Sequence, residues 1–130
     1  MANDRSQHMI GWETGVACDA VITVGTASDT CAVAIQLKDY AGNDLAVPGT
    51  VDLYFTSDAD GQVMADVTDC AAGTDGDLLE LLTDYCFMAV SEADGDIDVT
   101  LDGSGADTVY LNVRLPNGKV VISSVITFTS

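Results

Sequence analysis

The sequence is poor in basic residues, aromatics and proline, and it contains no long apolar run. Only Arg5, Lys38, Arg114 and Lys119 face 21 acidic residues, giving a formal charge of −17 at pH 7. Phosphate backbones and anionic membranes repel such a surface, so no nucleic acid and no membrane is expected as a partner. The one histidine, His8, leaves the rest of the chain without a base for a His-dependent nucleophilic triad. Glycines occur singly and none is followed by Lys-Ser or Lys-Thr, which removes a phosphate-cradling loop. Aromatics at 6% supply little wall for a sugar subsite, so abundant carboxylates do not by themselves make a glycosidase. These deficits predict a protein that is not an enzyme and has no cofactor. No stretch approaches the roughly 18 apolar residues of a membrane span, and the polar start from Met1 to His8 does not read as a targeting segment. Folding in a cytoplasm is the expectation.

Metal chemistry is weakly represented. Cys18, Cys31, Cys70 and Cys86 form no Cys-x-x-Cys pair and match no zinc finger or ribbon spacing. Two acidic stretches, Ser57 to Gly61 and Glu92 to Asp98, resemble calcium loops but fail the EF-hand pattern. Placing Gly61 at its glycine puts Thr56 first and Val67 last, and placing Gly95 there puts Val90 first and Leu101 last. Asp-Gly turns account for both, with a loosely formed ion site between loops as the alternative. The cysteines allow three disulfide pairings, but reduced thiols are expected without an export signal. Cys31, in register with Val33, Ile35 and Leu37, reads as a small core hydrophobe, with a bridge or ligand role as the alternative.

What is present is a core. With 130 residues and 48% hydrophobic content the chain can bury one domain's interior, and its β-branched runs separate it from acidic disordered sequences. From residue 19 onward a period of two recurs, bounded by Gly, Asp, Asn or Pro. Odd positions point inward in four segments: Cys31 to Leu37, Val51 to Phe55, Ile97 to Leu101 and Val109 to Leu115. Their partners, including Tyr110, Asn112 and Arg114, are expected on wet polar faces. Strands are predicted near 19–25, 30–38, 50–56, 77–82, 85–91, 96–102, 107–115 and 119–128, with a weaker one at 62–67. Asn117-Gly118 supplies the hairpin before the last strand, where Ser123-Ser124 break the alternation and predict a bulge. Residues 77–90 fit either two strands around a Thr83-Asp84 turn or one helix capped by Asp77; two strands are favoured. Seven to nine short strands imply an all-β, immunoglobulin-like two-sheet antiparallel sandwich over 18–130. Tyr110 suggests a tyrosine corner, although its outward parity makes the match imperfect.

Residues 1–17 show neither period and are expected to form an N-terminal extended arm. Ile10, Trp12 and Val16 are its candidate interface residues, docking on a neighbour; folding back onto the sandwich and simple fraying are the alternatives.

Five segments, in order, resemble small Ig-like structural proteins of tailed-phage virions. Val33 to Ala46 (VAIQLKDYAGNDLA) is similar to their VxIQLKDxxGNxLA, and Tyr54 to Gly61 (YFTSDADG) to their YLSSDAxG. Gly73 to Gly76 with Leu78 to Glu80 resembles GTDGxLIE, Ser91 to Asp98 resembles SEADGDID, and Leu115 to Val121 resembles LPNGKLV. The resemblance spans about residues 20 to 130 and includes neither the arm nor the cysteines. It implies a virion protein with an Ig-like fold and no enzymatic activity. The leading expectation is a head decoration (cement) protein on the outer capsid surface, made in the host bacterial cytoplasm and partnered by the major capsid protein, with a homo-oligomer (trimer) on the shell as an option that decoration proteins of this kind suggest. Strong acidity suits the outside better than a DNA-filled interior. A tail, neck or fibre component is the alternative, and a carbohydrate-binding or adhesin module a more distant one.

Overall fold

The computed structural model describes residues 15–103 and 108–129. The strands, numbered in chain order, are β1 (Asp19–Val24), β2 (Thr30–Lys38), β3 (Thr50–Thr56), β4 (Asp69–Ala72), β5 (Asp77–Leu82), β6 (Cys86–Val90), β7 (Asp96–Asp102), β8 (Thr108–Arg114), β9 (Val120–Ile122) and β10 (Ile126–Thr127). All pairings are antiparallel. A first sheet has the order β1-β2-β7-β4 and a second β10-β8-β3-β6-β5, with β9 also on β8. The protein is therefore a two-sheet antiparallel β-sandwich. Set the β5–β6 hairpin aside, and β1-β2-β7-β4 against β10-β8-β3 is the ABED and GFC arrangement of an immunoglobulin constant-type domain. The hairpin is an elaboration that widens the second sheet beyond β3.

The odd-residue parity holds. Cys31, Val33, Ile35 and Leu37 on β2 and Ile97, Val99 and Leu101 on β7 face Val51, Leu53 and Phe55 on β3 and Val109, Leu111 and Val113 on β8, all buried. Phe55 and Phe87 meet edge to face at 6.2 Å and 78°. Each fully buried Leu, Ile or Phe contributes about 1.5–3 kcal/mol, so this interior is the main source of stability. Ala17 and Leu45, outside the strands, are buried with them.

Several sequence expectations change. The strand foreseen at 62–67 is reduced to a single bridge between Thr56 and Met64. In its place β4 pairs with β7, and only Cys70 of its residues is buried, so it carries no alternation to detect. The 77–90 segment is a hairpin, with Asp84 at φ 64 in its turn and a bulge between Glu80 and Leu82. The last strand is broken into β9 and β10 where the bulge was expected. There the buried Ser123 hydroxyl accepts from Leu111 N at 3.0 Å and donates to Ser124 O at 2.7 Å. In the Pro116-Asn117-Gly118 turn only Gly118 takes positive φ, 88°, which is a three-residue loop with a left-handed glycine instead of a two-residue Asn-Gly turn.

Candidate functional site: the outer face of the second sheet

The inner faces are alike in chemistry, but the outer faces are not. On the first sheet, strand register lines up Val21, Gln36 and Asp96, then Thr23, Ala34 and Asp98, then the uncharged Ala32, Thr100 and Ala71, then Thr30, Asp102 and Asp69. On the second sheet one row runs Leu79, Met88, Asp52, Arg114 and Val120, and the next runs Leu82, Cys86, Tyr54, Asn112 and Ile122. Four carboxylates thus stand among small and polar residues on one face, while the other is largely aliphatic and sulfur-bearing around an Asp52–Arg114 register pair, with Asp77 beside Val90 at its β5 edge. Leu79 is 60% exposed, Leu81 51%, Leu82 54% and Val90 39%. Large aliphatic side chains on adjoining strands at this exposure form a patch, as isolated surface leucines do not. The patch lies on the β5–β6 elaboration.

One end of the face is walled by the loop after β3. Asp58 Oδ1 accepts from the amides of Gln62 and Val63 at 3.1 and 3.0 Å, and Ser57 N donates to Val63 O at 3.0 Å. The loop brings Gly61 over Asn112, so close that a Cβ on Gly61 would lie 2.6 Å from Asn112 Oδ1. Asn112, expected on a wet face, is therefore completely buried. Its Nδ2 donates to Thr56 Oγ1 at 2.9 Å, tying β8 to β3, while Oδ1 has no hydrogen-bond partner among the described residues. Tyr110 keeps its outward position, in register with Thr56.

The two calcium-like loops are turns that use their own carboxylates. Asp58 holds the β3 loop as above, and Asp94 Oδ1 accepts from Asp96 N at 3.3 Å. Among the described residues no group of three or more His, Cys, Asp or Glu side chains is placed to hold a metal ion. Partial burial, followed by the neighbouring carboxylates of Asp98, Asp94 and Glu92, raises the Asp75 pKa; burial and then Asp94, Asp75 and Asp98 raise that of Asp96. Burial, with Glu80, Asp69 and Asp66, does the same for Asp84.

Cys31, Cys70 and Cys86 are unbridged thiols. Cys31 and Cys70 point into the core on either side of Leu101, and burial plus the charges of Asp69, Glu80 and Asp84 pushes Cys70 up to about 12. Cys86 lies on the apolar outer face. Of the residues singled out in the arm, Ile10 and Trp12 lie outside the described residues; Val16 is half-buried, and its carbonyl accepts from Cys18 Sγ at 3.4 Å. The patch was not foreseen because residues 77–90 fit either a helix or two strands, and neither reading says which leucines face water. Its signal was Leu-Leu-Glu-Leu-Leu, where leucine occupies both parities at once.

No protein-family model matches the chain, and no curated protein does. Among solved structures, a cohesin module from Clostridium perfringens ATCC13124 family 33 glycoside hydrolase is similar, at 13% identity over 88% of this chain and 98% of that one, with a TM-score of 0.43. So distant a likeness bears on neither ligand nor activity.

Proposed function

We propose that this chain is a non-catalytic docking module of a tailed-phage particle, a head decoration protein that binds the outer surface of the major capsid shell. The observation that carries the docking part is the asymmetry of the outer faces. A protein of charge −17 keeps one face largely aliphatic, with Arg114 set opposite Asp52 and Asp77 at its edge, and desolvating the apolar part of that face against another protein is favourable at about 25 cal/mol per Å². The acidic face then remains in water. The phage part is supported by the five ordered sequence segments, which fall on turns of this sandwich and the strand residues that flank them. Asp39 Oδ1, for example, accepts from Ala41 N and Asn43 N at 2.9 and 3.0 Å, and Ser91 Oγ accepts from Gly49 N at 2.8 Å.

A reconstruction of the particle encoding this protein tests the reading. Density for the sandwich at repeated positions of the capsid lattice is the expected result. Confinement to the tail, or a copy number matching a ring or fibre, rejects the head assignment in favour of a tail or neck component.

A further inference from the structure

Resting on the docking reading above, we infer that the partner surface has an apolar centre and a basic rim, and that the β5–β6 hairpin meets it face-on, without strand addition at the β5 edge. The centre follows from Leu79, Leu82 and Val90, exposed on the outer face beside the half-buried Met88 and Cys86. The rim follows from what borders them. Asp77 shares the outward register row of Val90 and Thr50, whereas Glu80, on the opposite parity, and Asp84 in the turn stand past the β5 edge, where burial and then the charges of Glu80, Asp69 and Asp66 raise the Asp84 pKa. Like charges placed opposite this fringe are repelled, which disfavours a second copy of a chain carrying −17 and favours lysine and arginine on the partner.

The mode of contact follows from the edge. An unpaired edge strand invites another strand unless the invitation is withdrawn by a bulge or an inward-pointing charge. β5 has both. Its register shifts between Glu80 and Leu82, and Glu80 sits on the core parity opposite buried Phe87. The leucines remain available while the backbone ladder is interrupted.

The test uses the full chain and emptied capsid shells of the encoding phage from which the protein has been stripped, read by co-sedimentation across a salt series. Wild type is expected to pellet with shells and to release as salt rises. Leu79→Glu with Leu82→Glu should lose at least about tenfold in affinity, Thr100→Glu on the acidic face should bind as wild type, and Glu80→Lys with Asp84→Lys should bind more weakly with a flattened salt dependence. Circular dichroism and urea unfolding confirm that each variant folds. Amide exchange on the complex should leave the outward amides of β5 at no more than side-chain-covered protection, without the slow exchange of a paired ladder. Full binding by the double glutamate variant, salt-insensitive wild-type binding, or ladder-like protection along β5 overturns the inference while leaving the decoration reading intact. Wild type that never binds shells removes both.

Discussion

At the scale of single residues, the sandwich depends on a few polar groups placed where a period-two pattern fails. Ser123 replaces a ladder acceptor for Leu111 N in the gap between β9 and β10. Ser123→Ala leaves that buried amide unpaired and should cost about 1–3 kcal/mol, read from urea unfolding. Gly61 is constrained twice, by φ 71 and by Asn112 Oδ1 beneath it. Gly61→Ala should therefore destabilise by about 2 kcal/mol. Gly42→Ala, at φ 84 but with nothing within 4 Å of the new methyl, should cost less. The thiols sort by environment. Native-state alkylation near neutral pH should modify Cys86, half-exposed, and spare Cys31 and the strongly shifted Cys70 until the protein unfolds, as mass spectrometry of labelled peptides will show.

At the scale of elements, the β5–β6 hairpin is the addition to an otherwise immunoglobulin-like strand order, and its turn is chemically specific. Asp84 adopts a left-handed conformation that β-branched residues avoid, and Asp84 N donates to Glu80 Oε2 at 3.2 Å. Asp84→Gly should leave the unfolding midpoint at or above wild type, because it relieves both the backbone strain and one member of an acidic group. Asp84→Val should lower stability by about 1–2 kcal/mol. The helix compatible with residues 77–90 was rejected by partners: Leu53 and Tyr54 of β3 pair with Phe87 and Cys86, supplying a ladder that a lone helix on the sandwich rim would forgo. The short β4 shows the converse, an edge strand created by β7 with almost no hydrophobic signature of its own.

At the scale of the whole molecule, charge sets the pH response. Asp75, Asp96 and Asp84 have raised pKa values in the folded state, from burial and then from neighbouring carboxylates. A raised folded pKa favours folding fully below the unfolded carboxylate range near about 4, and that contribution disappears as pH rises through the folded value. Asp19 acts in the opposite sense. Against desolvation, the Ala20 amide and Lys119 lower its pKa, so its contribution is lost only as pH falls through a still more acid range. The urea midpoint should accordingly fall as pH rises from about 4 through the raised carboxylate range, and about 0.5 M salt should narrow the fall by screening. A midpoint that rises with pH across this window contradicts the account.

The sequence by itself determined the fold class, the inward parity of the central strands, the interruption at Ser123 and Ser124, and the acid turns, because each depends on local alternation or on side chains bonding backbone a few residues away. Cys31 in the core was legible for the same reason. Only the tertiary structure decided which sheet each strand joins, that β4 exists, that Asn112 is buried under Gly61, and that Leu79, Leu82, Met88 and Val90 share an outer face. Those facts depend on contacts between residues far apart in the chain, and a leucine has the same local pattern whether the surface it joins is covered or left facing water.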